Sequence, residues 1–105
     1  MPFVSEVRFY HETVEHINQE HPEVKIELPS LMTAVQNAIE NPTVVESSYT
    51  NSYVFIDHAS TNFTGEPLKV PVKITEGTSA RVKTVFFSGS TKPENTVYRN
   101  SDDER

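Results

Sequence analysis

The sequence predicts an α+β domain: two N-terminal helices packed on one face of a four-stranded antiparallel sheet, with room for a short extra strand at the N-terminus. Apolar residues before Pro42 recur at helical spacing, and those after it alternate. The connections after Pro42 are short, and parallel neighbours would need long crossovers. Leu, Ile, Val and Phe make up 27 of the 105 residues, enough for a lean core and too many for default disorder.

Residues 6–10 tilt toward a strand, because Val7 and Phe9 alternate with Glu6 and Arg8. From about Thr13 to His21 the spacing of Val14, Ile17 and His21 is helical, and Pro22 ends that helix. A second helix fits Pro29 to Glu40. Its stripe is Leu28, Met32, Val35 and Ile39, with Leu31 and Ala38 at the margin and Asn41-Pro42 as its stop. Strands follow at Thr43–Ser47, Ser52–His58, Leu68–Thr75 and Arg81–Ser88, with a loop at 59–67 and a turn at Glu76-Gly77-Thr78. Leu68, Val70, Val72 and Ile74 alternate with polar residues, so the helix stripes bury against them. Pro71 lacks a ladder donor, which places its strand at an edge or at a bulge. Tyr98 suits a final short strand. Residues 1–99 form a single domain, and 100–105 are a polar tail.

There is no cysteine, which excludes disulfides, thiolate metal sites and a cysteine nucleophile. No run reaches the roughly 20 apolar residues of a membrane span. The first residues lack the features of a secretory signal. A cytoplasmic protein without membrane attachment is expected.

The net charge of -6 is unevenly spread. Residues 1–66 carry -8, residues 67–99 carry +4, and the tail carries -2. Such asymmetry hints at an electrostatic partner. Lys69 and Lys73 share the strand face opposite the core residues, and Arg81 and Lys83 share one face of the last strand. One step of register decides whether the four gather. Gathered, they are the footprint of a phosphate-rich partner, with Tyr53, Phe55 and Phe87 available to stack bases. Otherwise the lysines guard a sheet edge.

His11, His16 and His21 are spaced by five, and each step turns about 140° around a helix, so the three do not share one metal ion. Histidine also suits proton transfer near neutral pH. His21 lies on the apolar side, where a helix-end hydrogen bond is its ordinary role, and His16 lies outside that stripe. Thr84 and Ser88 are read on one strand face with Val82 and Phe86. No P-loop, dinucleotide fingerprint or nucleophile elbow is present, so no cofactor is expected.

A set of short motifs adds to this reading. His16-Ile17 is followed by His21-Pro22-Glu23-Val24, then AIENPTVV at 38–45, FI at 55–56, LKVPVKI at 68–74 and KTVFFS at 83–88. Over roughly residues 13–90 this order resembles a family of small prokaryotic and phage-encoded domains grouped with the barnase, EndoU, colicin and RelE-like ribonucleases. The resemblance implies RNA cleavage that needs no metal, as in a toxin or phage-linked effector, with an antitoxin or another protein as a further partner. It implies His16 or His21 as the acid/base, and Thr84, with Ser88 beside it, as the group that orients phosphate or imidazole. Arg81 and Lys83 would supply positive charge, and Lys69 and Lys73 would extend the substrate surface. The chain departs from the family pattern at Glu20, where many relatives carry Arg, and at Val85, where a small residue is usual. An inactive RNA- or protein-binding module of the same fold is the alternative.

Overall fold

A computed structural model describes residues 6–8, 11–21, 31–49, 51–77 and 79–99. The elements run β1 (Glu6–Arg8), α1 (His11–Glu20), α2 (Leu31–Glu40), β2 (Val44–Ser47), β3 (Ser52–Thr61), β4 (Pro67–Glu76), β5 (Ser79–Val82), β6 (Phe86–Phe87), a 3-10 turn (Pro93–Asn95) and β7 (Thr96–Arg99). The architecture is α+β, but among the described residues the sheet has seven strands where the sequence predicts four. Their order is β1-β5-β4-β3-β2-β7, with β6 also paired to β4. The extra N-terminal strand is present and runs parallel to β5, whereas the other pairings are antiparallel. The final strand around Tyr98 is present too, against β2. No helix among the described residues is long and apolar enough to cross a membrane.

One sheet face is apolar and carries the helices. Val45, Phe55, Leu68, Val70, Val72, Ala80 and Val82 are buried there with Ile17, Val35, Ala38 and Ile39. Burying a side chain such as Val or Phe contributes about 1.5–3 kcal/mol, so this face holds the fold together. The α2 stripe differs from the expected one. Met32 is exposed, while Val35, Ala38 and Ile39 are buried and Leu31 and Ala34 pack at the rim. Leu31, Ala34, Val35 and Ala38 make an equally regular helical stripe, and the small alanines let the helix approach the sheet closely. The predicted Pro29 start, the Leu28 position and the Pro22 stop lie outside the described residues.

The expected loop at 59–67 is shorter. Strand β3 continues to Thr61, and the turn is confined to 62–66. Asn62 organises it, its Oδ1 accepting from the Thr64 and Glu66 amides.

The expected strand 81–88 is interrupted. From Val72↔Val82 to Lys69↔Phe86 strand β4 advances three residues and its partner advances four. The extra residue is a bulge at Thr84–Val85. Pro71 lies opposite it: the Lys83 amide donates to the Pro71 carbonyl at 2.8 Å. The nitrogen and carbonyl of a strand residue face the same neighbour, so the missing proline donor is directed at the interruption. This explains a proline in an interior strand. The bulge also corrects the shared face predicted for Val82 and Phe86. Val82 points into the core, and Phe86 pairs with Lys69 on the other face.

Candidate functional site

Among the described residues no helix covers the other face of the sheet, and this helix-free face divides in two. Strand β6 lies on the β5 side of β4, and β7 lies beyond β2, so the connection at 88–95 crosses the sheet. Four contacts tie this strap down. The Lys69 ammonium donates to the Ser90 carbonyl. The Glu46 carboxylate accepts the Lys92 amide at 2.9 Å. The Ser47 hydroxyl donates to the Asn95 carbonyl at 3.3 Å, and the Gly89 amide donates to Glu66 at 3.3 Å. Beneath the strap Lys69 is only 5% exposed and Glu46 only 6%. A cavity of about 250 Å³ remains there, lined in part by Glu46, Val54, Lys69, Phe86, Ser88 and Lys92. Burial pushes the Lys69 ammonium below its ordinary value of 10.5; Glu46 opposes that shift and Lys92 adds to it. Hydrogen bonds from Asn62, Thr64 and Gly89 hold the Glu66 carboxyl below its ordinary 4.5.

The other half of this face is open. Lys73 stands directly opposite Arg81, and Arg81 directly opposite Arg8. Adjacent strands are about 4.8 Å apart, so the row from β4 to β1 spans roughly 10 Å. All three side chains are exposed, as is Lys83, two residues beyond Arg81. Like charges set directly opposite on a sheet are unfavourable, and an anion bound across them relieves the repulsion. The register on which the expected patch depends therefore gathers Lys73 and Arg81. Lys69 shares their face but is withdrawn under the strap.

The aromatic residues assigned to base stacking are displaced from this surface. Tyr53, Phe55 and Phe87 face the helices and belong to the core or its rim. Phe55 and Phe87 pair with Val70 and Leu68, whose alternation already places them on the buried side.

The histidines occupy a separate edge. The Thr13 hydroxyl donates to the Val82 carbonyl at 3.4 Å, and the His21 ring lies 5.7 Å from that of Phe86. Helix α1 thus runs along residues 82–86. His16 is exposed, and its ring meets that of His21 edge-on at 6.3 Å. The His21 amide closes the helix on the Ile17 carbonyl at 2.8 Å. Thr84, in the bulge, has a buried hydroxyl with no hydrogen-bond partner among the described residues. Ser88 lies at the start of the strap: its amide donates to Pro67, and its hydroxyl accepts from the Ser90 amide. The Pro22-Glu23 part of the His-Pro-Glu motif lies outside the described residues.

Helix α1 and residues 82–86 thus lie together. The sequence reading missed Arg8 and the strap with its buried Glu46. Arg8 had a signal in its alternation with Val7. The strap had none, because no local pattern says which face of a sheet a connection crosses. Comparison of the chain with protein-family models, with characterised proteins and with solved structures finds no match.

Proposed function

We propose that this domain binds RNA through the open half of its helix-free sheet face, with Lys73, Arg81 and Lys83 contacting phosphates. The observation that carries this reading is the cross-strand pair Lys73–Arg81. A like-charge pair works against the fold and favours a polyanion. The acidic remainder of the chain limits the attractive surface to this patch. Measuring the affinity of a labelled RNA by anisotropy at several salt concentrations tests the proposal. Affinity should fall steeply with salt, and Arg81→Glu should abolish most of it. Salt-independent binding would point to a protein partner instead.

A second reading adds cleavage, and the contact between the His16 and His21 rings favours it. In RNA transesterification the 2′-oxygen attacks phosphorus and the 5′-oxygen leaves. One imidazole would take the 2′ proton and the other would give a proton to the leaving oxygen. Lys83 would supply charge to the phosphorane, since it lies in the chain between the cation row and Phe86. Incubation of the pure protein with RNA in a chelator decides this reading. Cleavage lost in both His16→Ala and His21→Ala supports it; an inert wild type leaves a binding module alone.

A further inference from the structure

We infer that the bound nucleic acid is single-stranded, and that Tyr49 recognises this by stacking on an exposed base. The inference rests on the RNA-binding reading and specifies its substrate class. The cation row ends at Lys73 on β4, close to the turn that joins β2 to β3. Lys73 stands opposite Ser52 on β3, and Ser52 opens on the turn that joins β2 to β3. Tyr49 sits in that turn and is 84% exposed. A path drawn across the strands therefore passes Arg8, Arg81, Lys73 and Ser52 and ends beside the tyrosine turn.

The turn is braced. The Ser48 amide donates to the Ser52 carbonyl at 3.0 Å, and the Ser52 amide returns to the Tyr49 carbonyl at 2.9 Å. Asn51 takes the left-handed conformation, with φ 58°, that such a tight reversal requires. Its carbonyl accepts the Ile74 amide at 2.7 Å, which fastens the turn to β4 one residue beyond Lys73. The tyrosine is thus carried by a turn whose Asn51 backbone is fastened to β4 beside Lys73. Positive groups that track a backbone, with an aromatic face for bases, are what sequence-tolerant single-strand binding uses. A duplex keeps its bases stacked on one another and offers the tyrosine none.

The test compares a single-stranded oligouridylate with an RNA duplex of equal phosphate count at one salt concentration. The wild type should prefer the single strand. Tyr49→Ala should weaken single-strand binding by about tenfold and leave duplex binding unchanged, the usual loss for one stacked base. The chain has no tryptophan, so Tyr49→Trp creates a single reporter whose fluorescence the oligouridylate should quench and the duplex should not. Equal binding of both RNAs with an indifferent Tyr49→Ala and no quenching would overturn the inference while the cation row stands. Failure of the wild type to bind either RNA would remove the row's function as well.

Discussion

Lys69 and Lys73 lie on the same face of the same strand, four residues apart, yet they have opposite fates. Lys69 is enclosed under the strap, beside Glu46 and bonded to the Ser90 carbonyl. Lys73 stands in the open against Arg81. Alternation along a strand assigns a residue to a face; what crosses that face decides whether the residue becomes structure or surface. One half of the helix-free face is closed by a clasp of charged groups on backbone; the strap does not reach Lys73 and Arg81 in the other.

The sharpest way to break this comparison is to truncate both lysines and measure unfolding. Lys69→Ala leaves the Ser90 carbonyl and the buried Glu46 carboxylate without their ammonium. It should cost about 2 kcal/mol, within the range for hydrogen bonds to charged groups, and lower Tm by roughly 10 °C. Lys73→Ala should change stability by no more than about 0.5 kcal/mol, as exposed substitutions do. Equal effects from the two would mean that the strap does not hold Lys69 in solution.

RNA affinity should give the reverse order. Lys73→Ala and Arg81→Ala should each weaken binding by about three- to tenfold. Each should also make the slope of log affinity against log salt shallower, by about 0.7 for every single-strand phosphate that is no longer neutralised. Charge-preserving Lys69→Arg should leave that slope unchanged.

The sheet was legible because alternation and short connections are local properties. Leu68, Val70, Val72 and Ile74 named the buried face of β4, and Pro71 announced a break in its ladder. The two outer strands were legible as segments, but their partners were not. The pairings of β1 with β5 and of β7 with β2 join segments about 70 and 50 residues apart, and Glu6–Arg8 is too short to declare its partner. At the site, Lys73 and Arg81 could be named from sequence but their meeting could not, because a single register step moves either to the other face. The aromatic residues mislead for a related reason. Taken alone, Tyr53 and Phe55 suggest chemistry, whereas their pairing with Val72 and Val70 makes them packing. Tyr49 carried no periodic pattern, since it belongs to a turn.

The closed half should also respond to pH. Because burial lowers the Lys69 value in the folded state, the unfolded chain holds more protons over the interval between that value and the ordinary one. Stability contributed by Lys69 therefore rises as pH climbs through that interval toward 10.5 and levels off above it. Lys69→Met should remove this alkaline gain in a comparison of urea midpoints, while Lys73→Met should leave it intact. On the acid side Glu66 has the same sign, since its folded value is also lowered. Its lowered value gives stability that is complete above the ordinary 4.5 and is lost as pH falls through the folded value. Glu66→Gln should flatten that limb.

The smallest expected effect tests the border between the halves. The bulge at Thr84–Val85 ends the open stretch that carries Arg81 and Lys83 and turns Phe86 beneath the strap. Pro71 faces this bulge, so its missing donor costs little there. In Pro71→Ala the new amide gains access to the bulged segment, and the unfolded chain gains freedom. The second effect costs about 0.4–1 kcal/mol, and a typical added hydrogen bond offsets a similar amount. Urea unfolding of Pro71→Ala should therefore differ from wild type by less than about 1 kcal/mol. Val72→Pro, one residue away, removes a donor directed at Tyr53 on β3 and should cost at least about 3 kcal/mol, the scale of a proline inserted where its nitrogen must donate. If Pro71→Ala proved as damaging, the proline would be holding the bulge in place rather than being tolerated by it, and the boundary between closed and open halves would be set by β4 instead of by the strap.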